Sequence, residues 1–154
     1  MGLVKNLLES KGRDVHKIDA NATVFSALEE LAKYDIGALV VTDKQNEIVG
    51  IFSERDYARK VILKGKSSKK ARVKEMMTAN VHYIKPDNLL RECLELMTKK
   101  RTRHLPVKDV GKVVGIVSIG DIVNRMIEEQ KTKINYLENY IVGSDYGSEI
   151  KVST

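Results

Sequence analysis

Cysteine occurs once in the 154 residues, at Cys93, and tryptophan not at all. A single thiol excludes an internal disulfide and any cysteine-based zinc cluster, and it fits a reducing compartment, the cytoplasm. With Leu94 and Met97 as neighbours, Cys93 reads as a packed helix position rather than a reactive one. Aromatic residues make up 5% of the chain, too few for the stacking platforms that hold single-stranded nucleic acid. Long apolar runs are also missing: stretches such as Ile36 to Val41 fall well short of the roughly 18 residues a membrane helix requires. The first residues carry no signal-peptide core, and Asn6 stands where a myristoylation motif requires Ser or Thr, so no membrane attachment is expected. Histidines are three, His16, His82 and His104, without metal-ligand spacing. No Ser/His/Asp, Cys/His or paired-carboxylate arrangement stands out, so the chain is not expected to be an enzyme and no metal is expected.

What is present is aliphatic and charged. Hydrophobic residues reach 42% and charged residues 31%, enough for a core in one domain or two small interlocked units. Lys and Arg outnumber Asp and Glu by 27 to 21, for a net charge of +6. An anionic partner follows, and nucleotide, nucleic acid and anionic membrane all qualify on charge alone.

The chain repeats itself. Residues 15–43 align with 81–109 and, after a one-residue gap, 48–62 with 113–127, giving 15 identities in 44 positions. The lead-ins correspond as well, Val4-Lys5-Asn6-Leu7-Leu8 with Val73-Lys74-Glu75-Met76-Met77. Each unit starts with a short strand, Val15–Ile18 or Val81–Ile84. Helical spacing follows in Val24, Ala27, Leu28 and Leu31, and again in Leu90, Cys93, Leu94 and Met97. Two apolar runs joined by hairpin turns come next, Lys44-Gln45-Asn46 and Asp109-Val110-Gly111, and then a second helix. The expected fold is therefore α/β (α+β): two β-α-β-β-α units packed sheet to sheet with pseudo-two-fold symmetry, plus a C-terminal helix. The boundaries expected are 4–64 for the first repeat, 65–72 for a basic linker and 73–127 for the second repeat. A helical extension over 128–143 and a mobile tail over 144–154 complete the chain.

One motif appears in both units, Val49-Gly50-Ile51-Phe52-Ser53-Glu54-Arg55-Asp56 and Val114-Gly115-Ile116-Val117-Ser118-Ile119-Gly120-Asp121. In each a strand ends at a Ser, a helix begins and an Asp follows three residues on. Such a Ser-x-x-Asp can be a capping box, satisfying backbone N–H groups at the helix start. It can equally serve a nucleotide, with backbone donors and Ser for an anion and the Asp accepting from ribose hydroxyls. A second element, Arg101-Thr102-Arg103-His104-Leu105-Pro106-Val107, places cationic donors at the mouth of an apolar strand, where phosphate could be met.

This doubled Val-Gly-Ile-x-Ser-x-x-Asp, with Arg-His-Leu-Pro-Val in the second unit, resembles a tandem pair of cystathionine-β-synthase (CBS) domains, the Bateman module, over about Val4 to Ile127. The resemblance implies clefts that bind adenine nucleotides such as AMP, ADP, ATP or NAD, in some members S-adenosylmethionine, and modules that pair into dimers. It places the ribose-binding Asp at Asp56 and Asp121, their Ser partners at Ser53 and Ser118, and the phosphate-meeting pair at Arg103 and His104. Thr23 matches a position that lines the cleft, and the backbone around His16 and His82 would lie near the base. The first unit has Gly37-Ala38 where the second has Arg103-His104, so the two clefts are expected to differ. Arg55, with Arg59 one turn on, could compensate in the first.

The stretch Lys64 to Arg72 reads as a solvated linker; it has no interleaved aromatics, and nucleic-acid binding is not expected of it. Beyond the second unit, Ile122, Met126, Ile134, Leu137 and Ile141 continue an apolar stripe along a helix ending near Gly143. A helix that packs across a homodimer partner, with Tyr136 and Tyr140 adding area, is expected over an extended core helix. The functional expectation is a non-catalytic regulatory sensor that binds an adenine nucleotide and signals to an unidentified protein. The alternative is a dimerisation module with unoccupied clefts.

Overall fold

The computed structural model describes residues 2–142; the tail expected over 144–154 lies outside them. The element order is α1 (Val4–Lys11), β1 (Lys17–Asp19), α2 (Val24–Tyr34), β2 (Ala38–Thr42), β3 (Ile48–Ser53) and α3 (Glu54–Asp56), which continues as a π-helical turn over Tyr57–Ile62. Then come α4 (Val73–Met76), α5 (Leu90–Lys100), β4 (His104–Asp109), β5 (Lys112–Ser118) and α6 (Ile119–Val142). The architecture is mixed α+β, with two small sheets and a long C-terminal helix. In the first sheet β1 runs parallel to β2 and β2 antiparallel to β3; in the second, β4 and β5 form an antiparallel pair.

The first strand expected in the second unit, Val81–Ile84, shrinks to a single parallel bridge between Ile84 and Val107. The chain's two prolines account for the loss. In the first sheet the ladder is closed at its ends by Val40 N–H donating to His16 O at 3.0 Å and Ala20 N–H to Thr42 O at 2.8 Å. The corresponding donors in the second unit would be Pro106 and Pro86, which have no N–H. Only the bonds from Ile84 N to Pro106 O (3.1 Å) and from Lys108 N to Ile84 O (2.8 Å) remain.

Two hydrophobic cores form, and they do not follow the sequence boundaries. Val4, Leu7 and Leu8 of α1 are buried with Leu90, Cys93, Leu105, Val117 and Ile122 of the second unit. Val73 and Met76 of α4 are buried with Val24, Leu31, Leu39 and Phe52 of the first. The lead-in helices are thus exchanged, and the backbone repeats the exchange with pseudo-two-fold regularity. Val4 N donates to Asn88 O and Val73 N to Ala22 O, both at 2.9 Å; Lys5 N donates to Pro86 O and Lys74 N to Ala20 O, again at 2.9 Å. The glycines of the repeated motif make room for it. A Cβ on Gly50 would lie 2.6 Å from Met77 Sδ and 2.9 Å from Thr78 O, and one on Gly115 would lie 2.7 Å from Leu8 Cδ2.

The basic segment 65–72 is docked rather than loose. Val24 N donates to Ala71 O, Phe25 N to Ser68 O, and Arg72 Nη1 to Asn21 O at 3.2 Å, while Lys64, Lys66, Lys69 and Lys70 stay exposed. β2 is buried along all five residues, because it is covered on both faces. Leu39 and Val41 face their own core, and by alternation Ala38 and Val40 face the second unit. There the units approach closely: a Cβ on Gly37 would lie 3.2 Å from His104 Nε2. Cys93 is fully buried, and burial pushes its thiol pKa up to about 11, in keeping with a packing role.

α6 is one continuous helix with no break at residue 128. Ile122 enters the core, whereas Ile119, Val123, Met126, Ile127, Ile134 and Leu137 are each 37–53% exposed. The helix therefore outruns its own core. No helix among the described residues is long and apolar enough to cross a membrane.

Candidate functional site

Each repeated motif folds as a capping box. Ser53 N donates to Asp56 Oδ2 at 2.9 Å, and Asp56 N donates back to Ser53 Oγ at 3.3 Å. Ser118 and Asp121 repeat the pair at 2.9 and 3.1 Å. The strand must end where the box begins, and the Asp is then carried on the first turn of the helix with its carboxylate turned back to the strand end. Each carboxylate has further partners. Asp56, 8% exposed, accepts from Thr78 Oγ1 at 3.0 Å and pairs with Lys60 Nζ at 3.0 Å. Asp121 pairs with Lys11 Nζ at 2.5 Å, and Lys11 also donates to Ile116 O at 2.7 Å. Thr78 follows α4 and Lys11 ends α1, so the exchanged lead-ins reach both carboxylates.

Two clefts open beside these boxes, and each draws residues from both units. Cleft A, about 310 Å³, combines Ser53, Arg55 and Asp56 of the first unit with His82, Arg103 and His104 of the second; Arg59, Lys60, Lys100 and Arg101 also line it. Cleft B, about 210 Å³, combines Ser118 and Asp121 of the second unit with Asp14, His16, Asp35, Gly37 and Ala38 of the first. Arg103 at the strand start therefore lines the cleft of the other repeat's motif, while His104 reaches both clefts. Beside cleft A lies a further hollow of about 360 Å³ that shares Arg55, Arg59, Arg101 and Arg103 with it.

Most expected site residues are gathered here, with two qualifications. Thr23 is not brought to either cleft: its hydroxyl caps α2, accepting from Ser26 N at 3.1 Å, and its backbone bridges to Arg72. His104 lines both clefts, and it enters as a neutral donor or acceptor rather than a cation. Burial lowers its pKa below the ordinary histidine value, against the opposing pull of Asp121. Arg55 is half-buried, and Arg103 with Arg59 beside it lowers its pKa, a mark of crowded positive charge.

Several cleft residues were not singled out in the sequence. Lys60 had a local signal, the i,i+4 spacing from Asp56. Thr78, Asn80, Lys11 and Asp35 had none, because the exchange of α1 and α4 and the crossing of units bring them in.

The CBS domain family model matches residues 7–62 and 73–128. Against the CBS domain-containing protein CBSX3, mitochondrial, of Arabidopsis thaliana, the chain is 36% identical over 149 residues, 91% of this chain and 72% of that protein. A putative signal-transduction protein with CBS domains from Burkholderia ambifaria superposes with a TM-score of 0.80 at 45% identity, covering 84% of this chain and 96% of that one. The CBS domain pair of protein MJ0100, solved in complex with 5′-methylthioadenosine and S-adenosyl-L-methionine, superposes with a TM-score of 0.70 at 28% identity, over 81% of this chain and 99% of that one. The chain belongs to the CBS domain family and is a tandem pair of such domains, a regulatory module.

Proposed function

We propose that this CBS pair is a non-catalytic regulatory module. It binds an adenine nucleotide, AMP, ADP, ATP or NAD, between its repeats and signals occupancy to a protein partner. The observation that carries this reading is the assembly of cleft A: a carboxylate beside a Ser from one repeat faces Arg103 and the His82 segment from the other. Asp56 has the chemistry to accept ribose hydroxyls, with Lys60 and Thr78 yielding their place, and the guanidiniums have the chemistry to receive phosphate. Because the ligand would touch both repeats, it can favour one arrangement of the two, and only that differential affinity moves a population. The adenosine ligands named for the MJ0100 pair support the class of ligand.

The uncovered face of α6 supports a homodimer. It also supports a second reading, a dimerisation module whose clefts stay unoccupied. A thermal-shift series with AMP, ADP, ATP and NAD separates the two. Ligand at a hundred times its Kd stabilises by about 2.7 kcal/mol, a rise of several degrees. Asp56→Ala should abolish that rise; because Asp56 is buried and also holds Thr78 and Lys60, the variant is expected to melt lower by itself, and the readout is the ligand-induced rise over its own melting point. No rise with any of the four would leave the dimerisation reading standing alone. The location proposed remains the cytoplasm, on the single buried thiol.

A further inference from the structure

Pseudo-symmetry makes the two clefts comparable residue by residue, and their charges are opposite. At the position of Arg101 in cleft A, cleft B has Asp35; at the position of Arg103 it has Gly37. Cleft B is lined by Asp14, Asp35 and Asp121 against Lys11 alone, which is already engaged by Asp121. Cleft A sets Arg55, Arg59, Lys100, Arg101 and Arg103 beside the Asp56–Lys60 pair.

Among the described residues no carboxylate lies within ion-pair distance of Arg55, Arg59, Arg101 or Arg103. All four also line the adjoining hollow of about 360 Å³. Like charges held together without counter-charge destabilise a protein unless an anion joins them. One phosphate can engage one or two guanidiniums in bidentate fashion, and four guanidiniums shared by two adjoining cavities match a chain of phosphates. At about 310 Å³, cleft A reaches the ordinary range of small-molecule sites, roughly 300–1,000 Å³, whereas cleft B at about 210 Å³ does not.

We infer that the chain takes one nucleoside polyphosphate, in cleft A, with the phosphate chain running from Asp56 outward between Arg55 and Arg59 on one side and Arg101 and Arg103 on the other, while cleft B takes no phosphate ligand. This rests on the nucleotide reading of cleft A given above and adds to it the number of phosphates, the stoichiometry and the cleft. The specificity-determining residues are Arg55 and Arg59. They lie on the unit that carries Asp56, one turn apart, and Arg59 reaches the adjoining hollow.

The test is isothermal titration of the full chain, without divalent metal, against ATP, ADP, AMP and inorganic tripolyphosphate. The expected result is one ATP per chain, with ATP at least about tenfold tighter than AMP and ADP between them, the size of one added charge-assisted contact or more. Arg59→Ala should weaken ATP by about tenfold and AMP by less than about threefold, closing the gap. Lys11→Met, in cleft B, should leave the ATP stoichiometry at one, because it removes that cleft's cation. Tripolyphosphate should displace ATP but bind more weakly.

AMP as tight as ATP would overturn the inference and leave the nucleotide reading intact, as would two ATP per chain. Tripolyphosphate as tight as ATP would assign the cluster to free polyphosphate instead of a nucleoside. Binding by no adenine nucleotide at all would remove the underlying reading, a result distinct from each of these.

Discussion

Replacing Gly50 by Ala tests the exchange of lead-in helices, on which both clefts depend. Gly50 lies in β3 opposite Val41, and the chain after α4 crosses it so closely that a Cβ would sit 2.9 Å from the backbone oxygen of Thr78 and 2.6 Å from Met77 Sδ. The sulfur can swing away, but the carbonyl cannot move without disturbing the paired bonds between Ile51 and Thr78, 2.9 Å from Ile51 N to Thr78 O and 2.8 Å in return. Overpacking of this kind costs about 1–3 kcal/mol. Weakening two bonds worth about 0.5–1.5 kcal/mol each brings the expected loss to about 3 kcal/mol. At roughly 2–4 °C per kcal/mol for a chain of this size, the melting point should fall by about 6–12 °C.

Gly115→Ala meets only the branch ends of Leu8, at 2.7 and 3.1 Å, which a rotamer change can clear, so about 1 kcal/mol is expected. Gly120→Ala, whose nearest neighbour is Ser118 Oγ at 3.7 Å, adds helix propensity and should be neutral or stabilising by up to about 1 kcal/mol. Urea denaturation of the three variants reads the order directly. The reasoning is refuted if Gly115→Ala costs as much as Gly50→Ala, or if Gly50→Ala costs less than about 0.5 kcal/mol.

Two further outcomes can be checked by the same denaturation experiment. Burial lowers the pKa of His104 in the folded state, so between that value and the unfolded value near 6.5 the unfolded chain binds more protons. Its contribution is fully present above about pH 6.5 and is lost as pH falls towards the folded value; His104→Gln should flatten that part of the stability profile, and an unchanged slope would argue against a buried neutral imidazole. Val110, 95% exposed, sits at φ 48° beside Gly111 at φ 77° in the β4–β5 hairpin, a left-handed conformation that a β-branched residue resists. Val110→Asn should stabilise by about 1 kcal/mol and leave nucleotide binding unchanged; a loss of stability would mean that the valine makes a contact in solution.

The duplication, the order of elements and the pairing of Ser with Asp were legible because they are local and periodic. Helix α2 follows from Val24, Ala27 and Leu31 at helical spacing, and the hairpins from their turn residues. The weakened strand near Ile84 was written in Pro86 and Pro106, but its meaning depended on knowing which residue each would have to bond. Thr23 differs for the opposite reason: the family resemblance carried it to a cleft, while in the fold its hydroxyl satisfies the start of α2.

Sequence alone determined the two units, the two capping boxes and the unequal inventory of cations, because spacing along the chain specifies what one strand or helix can carry. Tertiary structure decided ownership. Only the mixed cores, and the close passage of Met77 and Thr78 over Gly50 and of Leu8 over Gly115, show that the lead-ins change partners. Only the approach of the two units, where Gly37 lies against His104, shows that Arg103 completes the cleft of Asp56, leaving Asp121 to Lys11. Such pairings join residues far apart in the chain, through van der Waals fit and charge at a distance, and no local pattern encodes them.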